Sequence, residues 1–190
     1  MADNTPAPYQ DIYAEIKEAL LFSRNQAYSA VNFAMVQAYW HIGRIIVEHE
    51  QNGSLRAEYG KAVLQTVSDR LTEEFGKGFD VRNLRNMRAF YRAYPKWNAV
   101  RSELTWTHYR ALLRVEDNRA RSWYMEECIR SGWSSRQLER QISTLYYERL
   151  LASRDKSPVI AEAGELIQPL AAENSTLSVT TRGLFLGFLS

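Results

Sequence analysis

Arg82, Arg85, Arg88 and Arg92 are the side chains whose type and spacing speak most directly to chemistry, and that chemistry is the recognition of a polyanion. At about 100° per residue the four fall within roughly a 120° arc of one helix. Leu84, Met87, Tyr91 and Tyr94 fall within roughly an 80° arc on the other side. One face wants a core; the other carries guanidinium groups and no acid. Like charges at this spacing repel each other, and a nucleic-acid backbone is the commonest partner that relieves them. Asn83 and Asn86 sit among the arginines as candidates for hydrogen bonds to bases or phosphates. Lys77 precedes the helix, where a phosphate would meet free backbone N–H groups. Arg136 and Arg140, on a later helix, are candidates to extend the patch. The competing reading is a solvated basic face, paired with acids from the first two helices.

Other chemistry-bearing residues give weaker signals. His41, His49 and His108 make no helical pair with a Cys or another His, so no metal is expected. His41 lies in an apolar helix and reads as a satisfied, partly buried side chain. Cys128 reads as an inert core thiol. Phe75-Gly-Lys-Gly-Phe79 lacks the spacing of a P-loop and reads as a turn. Asp11, Glu15 and Lys17 contain the letters of a metal-dependent nuclease motif, but such nucleases need their carboxylates on adjacent strands. Here the three lie on one amphipathic helix and read as its solvated side. The expectation is a protein with no catalytic residues, cofactor or small-molecule substrate.

The elements that must position the arginines are helical. A helix begins at Tyr9, with Tyr9, Ile12, Tyr13, Ile16 and Leu20 at helical spacing and Asp11, Glu15 and Glu18 opposite. A longer pattern follows to about Glu50, with Val31, Met35, Ala38, Tyr39, Ile42, Ile45 and Ile46 on one side. Gln51-Asn52-Gly53-Ser54 ends it. Tyr59, Val63, Val67, Leu71 and Phe75 mark a helix from about Ala57 to Phe75. After the Gly76-Lys77-Gly78 break, Asp80 caps the arginine helix and Pro95 stops it. Helix, glycine turn, helix is the outline of a helix-turn-helix. Trp97–Leu104 has room for a short β-wing. Thr105 caps a short helix through Leu113, a further helix runs from about Asp117 to Arg130 and stops at Gly132, and Ser134 caps a last long one through Leu150. The fold expected is mainly α, a helical bundle containing a helix-turn-helix or winged-helix-like unit.

The 190 residues are 45% apolar and 24% charged, ordinary for a globular chain that buries its own core. The net charge of +2 hides a division. Residues 77–154 hold 16 Lys and Arg against 8 Asp and Glu, and the remainder holds 8 against 14. The polyanion surface therefore belongs to the middle and later chain. Arginine outnumbers lysine 19 to 5, which suits bidentate grip on phosphate and guanine, although a GC-rich genome has the same effect. A lone cysteine and the lack of a signal peptide or 18-residue apolar run fit the cytoplasm and exclude a disulfide framework and a membrane span. Residues 1–8 read as a flexible leader, 9–152 as the helical domain, and 153–190 as an acidic, weakly helical linker ending in an atypical apolar tail.

Several segments in fixed order carry a family resemblance: Tyr39-Trp40-His41-Ile42-Gly43, Tyr59-Gly60-Lys61-Ala62-Val63-Leu64, and Gly78 through Tyr91. Leu104-Thr105-Trp106-Thr107-His108-Tyr109, Gly132-Trp133-Ser134 and Tyr147-Glu148-Arg149 complete the series. Over about residues 9–170 the chain resembles the N-terminal domain of YhcG-type bacterial proteins, long labelled a domain of unknown function. The resemblance implies a winged-helix-like domain that binds DNA, followed in full-length relatives by a nuclease-like domain of the PD-(D/E)XK class. Residues 175–190 do not read as the start of that domain, so a truncated or frameshifted C-terminal region is expected and nuclease activity is not carried over.

Two functions remain open from sequence. One is a non-catalytic nucleic-acid-binding module, with DNA the expected partner. The other is a helical interaction module in which Tyr28, Tyr39, Trp40, Tyr91, Trp106, Trp123, Trp133, Tyr146 and Tyr147 supply anchors for a homo-oligomer or a partner protein. Plain core packing is the expectation for most of these rings.

Overall fold

The computed structural model describes the backbone of residues 7–51 and 57–180, and the side chains of 9–51 and 62–170. Within them lie α1 (Ala7–Gln51), α2 (Ala57–Phe75), α3 (Val81–Ala93), a 3₁₀ turn (Trp97–Ala99), α4 (Trp106–Leu112), α5 (Asn118–Ser131), α6 (Ser135–Ser143), α7 (Tyr146–Ala152) and α8 (Ser157–Thr180). The mainly α expectation holds, and among the described residues there is no strand.

The first 45 described residues form a single helix, about 68 Å long at 1.5 Å per residue. No glycine interrupts it before Gly43, so the two apolar patterns read from sequence join without a break. Its buried face is Val36, Trp40, Gly43 and Val47, at spacings of four, three and four. That corrects the expected face: Val31, Met35, Ala38 and Ile45 are exposed. The true face centres on a glycine, which a search for large apolar residues passes over.

Gly43 is where α1 and α3 meet. A Cβ added there would stand 2.1 Å from the carbonyl oxygen of Met87 and 2.7 Å from its carbon. Only a residue without a side chain lets two helix backbones approach so closely. Trp40 then donates its indole N–H to the carbonyl of Tyr94 at 2.7 Å, holding the C-terminal end of α3. Leu84, Met87 and Phe90 of α3 are fully buried. Phe90 joins Tyr109 (4.6 Å between ring centroids), Trp106 (5.5 Å) and Tyr94 (5.5 Å) in an aromatic layer between α3 and α4.

The β-wing expected over Trp97–Leu104 is absent. Trp97 opens a 3₁₀ turn and its ring packs 5.6 Å from both Trp40 and Phe33 of α1. Tyr109 binds the same loop, its hydroxyl accepting from Arg101 N at 2.6 Å and donating to Arg101 O at 3.2 Å. The loop is pinned from two sides and its backbone has no strand to pair with.

The helix expected from Ser134 to Leu150 is two. Leu145 takes a left-handed conformation at φ 54° and separates α6 from α7. The break lets the Tyr124 hydroxyl accept from Tyr147 N at 3.0 Å and donate to Glu148 at 3.1 Å. The stretch read as a linker starts as a docked helix. Gln141 donates to the carbonyl of Ala163 at 2.9 Å, and Arg149 pairs with Glu162 at 2.7 Å. The apolar tail falls largely outside the described residues, as does the leader.

Asp80, Asp117 and Ser134 cap α3, α5 and α6. The cap of α4 uses a histidine. His108 Nδ1 accepts from Thr105 N at 3.2 Å and lies 2.8 Å from Thr105 Oγ1. Its Nε2 faces the Trp133 carbonyl at 3.0 Å, which can only accept, so Nε2 carries the proton. Burial pushes the imidazole below its usual range, with the Trp133 carbonyl opposing in part.

Two outcomes follow. Gly43→Ala gains about 1 kcal/mol of helix propensity but forces the backbones apart at a cost of about 3 kcal/mol. A net loss of about 2 kcal/mol is expected from urea unfolding, and a variant as stable as the parent would show that the crossing has slack. His108 is neutral when folded, and its unfolded value is 6.5. Its contribution is complete above 6.5 and is lost as pH falls below that value, because only the unfolded chain then takes up the proton. Urea midpoints at pH 7.5 and 5.5 should show a decline that His108→Gln, which keeps a donor and an acceptor, makes smaller.

Candidate nucleic-acid interface

The turn before α3 sets which way its arginines point. Gly76 and Gly78 hold φ of 81° and 117°, a region that side chains disfavour. The Asp80 carboxylate then accepts from Asn83 N at 2.9 Å and starts the helix. With Leu84, Met87 and Phe90 turned to the core, Arg82, Arg85, Ala89 and Arg92 are exposed on the outer side. Arg88, next to the buried face on the helical wheel, is half-buried.

Two of the four guanidinium groups have a carboxylate. Glu50, near the end of α1, accepts from Arg88 Nη1 at 2.8 Å and from Arg92 Nη2 at 2.9 Å. Its side chain is 22% exposed, so the acid lies beneath the arginines rather than beside them. One carboxylate between two cations leaves the cluster positive and fixes the direction of both forks. Arg85 is exposed and has no ion pair among the described residues. Arg82 is exposed too, but it lines an open crevice between α2 and α3 with Asp69, Glu73 and Asp80. The field there is mixed. The positive ground of α3 is its later part, from Arg85 to Arg92.

That ground continues into a groove of about 560 Å³ where α3 meets the start of α5. Ala89 and Arg92 form one side, Asn118 and Arg121 the other. Arg121 is braced by the carbonyl of Val115, which accepts from Nε at 3.0 Å and Nη2 at 2.6 Å. Tyr94 lines the same groove, and its hydroxyl is buried and without a protein partner among the described residues. Burial pushes it up to about 12, with the Arg121 charge acting the other way, so it is a neutral donor at ordinary pH. Sequence reading missed Arg121 because its neighbours in the sequence give no sign of where α5 starts relative to α3.

The other sequence candidates divide. Lys77 is exposed in the glycine turn, and Asn86 is half-buried on α3. The Asn83 amide is taken up by the fold. Its Nδ2 donates to the Gly78 carbonyl and its Oδ1 accepts from Trp106 Nε1 at 3.1 Å, which ties the turn to α4. Arg136 and Arg140 are exposed on α6. The neighbours of α6 are α4, α5, α7 and α8, whereas those of α3 are α1, α2 and α4. The two arginine sets are therefore on helices that do not pack closely on each other, with α4 touching both.

Most rings proposed as interface anchors are in the core: Trp40, Trp133 and Tyr146 are buried, and Tyr91, Trp106, Trp123 and Tyr147 pack against that core. His41 is exposed rather than partly buried. Cys128 is buried, donates to the Trp133 carbonyl at 3.5 Å, and is pushed up to about 12 by burial. Asp11, Glu15 and Lys17 are exposed on one helix, as read. Among the described residues no group of His, Cys, Asp and Glu could hold a metal ion, and no helix is long and apolar enough to cross a membrane.

Residues 15–149 match the family model described as the DUF1016 N-terminal domain. A protein of Escherichia coli (strain K12), named "Putative nuclease YhcG", is 34% identical over 194 residues, a match that covers 85% of this chain. The chain spans about half the length, 52%, of that relative. No solved structure matches.

The assignment of Asn83 to the fold is open to measurement. Asn83→Ala leaves the Gly78 carbonyl and the Trp106 indole N–H without partners, at a cost of about 1–3 kcal/mol. A lower urea midpoint and altered tryptophan emission are expected. An unchanged midpoint would return Asn83 to the contact surface.

Proposed function

We propose, for a chain that belongs to the DUF1016 N-terminal domain family, that this module binds nucleic acid, with DNA as its partner, and holds rather than cuts it. The observation that carries the reading is the strip of exposed Arg85 and Arg92 with half-buried Arg88 between them, backed by a single half-buried acid and continued by Arg121 across a groove. From Arg85 to Arg92 the strip covers about 10 Å of helix. At 3.4 Å per phosphate along one strand, that length faces about three phosphates. In this reading Arg92 and Arg121 make backbone contacts from the two sides of the groove.

In this reading α2, the glycine turn and α3 act as a helix-turn-helix without a β-wing, and α3 lies along the groove of the duplex. Lys77 and Asn86 are secondary contacts. Arg82 contributes less, because Asp69, Glu73 and Asp80 share its surroundings. Arg136 and Arg140 form a separate basic site that would meet only a longer or bent duplex. The name of the Escherichia coli relative refers to a nuclease, an activity that needs its polyanion held in place. Holding is the part proposed for this domain, in the cytoplasm where that substrate is found.

Fluorescence anisotropy with a labelled duplex tests this. Affinity should fall steeply with salt, the log–log slope changing by about 0.9 for each phosphate contact. Arg85→Ala/Arg92→Ala should weaken binding to every sequence and flatten the slope by about 2, with the melting temperature nearly unchanged. Arg82→Ala should have a smaller effect. A double variant that binds with the parent's affinity and slope would overturn the reading.

A further inference from the structure

The long helix α1 has a second face that nothing among the described residues covers. Tyr9, Ile12, Tyr13, Ile16 and Leu20 are 55–62% exposed and Val31 is 61% exposed. At about 100° per residue they lie within roughly a 100° arc, centred about 180° from the Val36–Trp40–Gly43–Val47 face that meets α3. Ala27, Ala34 and Ala38, all exposed, continue the same stripe toward the body of the domain. Taking about 200 Å² for a large side chain, the six exposed residues leave about 700 Å² of apolar surface. That exceeds the largest patch on an ordinary monomer, about 300–600 Å². Two such surfaces bury about 1,400 Å², within the range of a specific interface.

The order of side chains along the stripe identifies what covers it. The large residues come first: Tyr9, Tyr13, Ile16, Leu20. The smaller ones follow: Ala27, Val31, Ala34, Ala38. If a second α1 lies antiparallel, with a two-fold axis between Ser23 and Arg24, Tyr9 faces Ala38, Tyr13 faces Ala34, Ile16 faces Val31, and Leu20 faces Ala27. Each of these four large side chains meets a smaller one, the arrangement that lets two helices interlock, while Ile12 at the edge of the stripe faces Met35. The same register puts Asp11, Glu15, Lys17 and Glu18 opposite uncharged residues, so no like charges meet. A surface that complements itself under a two-fold is what an isologous dimer requires. We infer that the chain forms an antiparallel dimer through the outer face of α1, between Tyr9 and Ala38. This goes beyond nucleic-acid binding and does not rest on it.

Sedimentation equilibrium of the full 190-residue chain tests the association, and cross-linking tests the register. The parent should have twice the chain mass. Ile16→Glu/Leu20→Glu should halve it, and because both positions face away from α3 and no tryptophan lies on the stripe, the emission of the core tryptophans should not change. Under mild oxidation, a mixture of Leu20→Cys chains with Ala27→Cys chains should form a disulfide-linked pair, and neither alone should do so. A dimer that survives the double glutamate variant, or Leu20→Cys chains that link to themselves, would overturn the inference. So would a monomeric parent. If α1 of that monomer also resisted proteolysis, the stripe would belong to the chain's own apolar residues 181–190, and a monomer that bound lipid vesicles would assign it to a membrane surface.

Discussion

The approach of α1 to α3 at Gly43 decides where everything else in this domain can be. Two helices ordinarily keep their axes 8–10 Å apart because side chains fill the space between them. Here the Met87 carbonyl occupies the position of a side chain that Gly43 lacks. The contact fixes both the distance and the rotation of α3. Once the Met87 side of α3 is against α1, the opposite side must face outward, and Arg82, Arg85 and Arg92, each about 140–160° from Met87, are on it. Glu50 lies seven residues beyond Gly43, on the same face of α1, and so reaches Arg88 and Arg92. A larger residue at position 43 would move the arginine strip away from its acid.

A second set of constraints keeps α3 from rotating about that contact. Trp40 holds the Tyr94 carbonyl at one end. Asn83 joins the glycine turn to Trp106 at the other. Between them Phe90 is surrounded by Tyr94, Trp106 and Tyr109. These are polar and edge-to-face contacts with directional preferences, so they select one rotation where a purely aliphatic seam would accept several. Trp40, Trp106, Tyr109 and Tyr124 have their ring polar atoms bonded, whereas the buried Tyr94 hydroxyl has no partner among the described residues.

What could be read without coordinates follows from this division. Helix α3, its Asp80 cap, and the caps Asp117 and Ser134 depend on interactions within four residues, and the sequence displays them directly. The faces of α1 were misjudged because burial there follows a glycine and a tryptophan rather than the largest apolar stripe. The wing over Trp97–Leu104 failed because Trp97 and Tyr109 make contacts that no local pattern records. The split at Leu145 depends on the hydroxyl of Tyr124, more than 20 residues earlier. Asn83 looked like a base-reading side chain because its neighbours are arginines. Its partners, Gly78 and Trp106, become visible only in three dimensions.

The pairing of Glu50 with Arg88 and Arg92 bears on whether the strip is a surface for ligands or merely a solvated one. An acid facing each arginine would leave no net field and would favour the second case. A strip with no acid at all would hold four mobile guanidinium groups in mutual repulsion, and a ligand would have to order every one of them. The observed ratio lies between these. One carboxylate shared by two arginines orients both and lowers their repulsion, while a full positive charge remains on the pair. Arg85 beside them has no such partner among the described residues. Because Glu50 is beneath the strip, the outward side of the Arg92 fork stays open to solvent, its side chain 57% exposed. Orientation from below and charge directed outward are together the conditions for binding an anion without first breaking the structure that presents it.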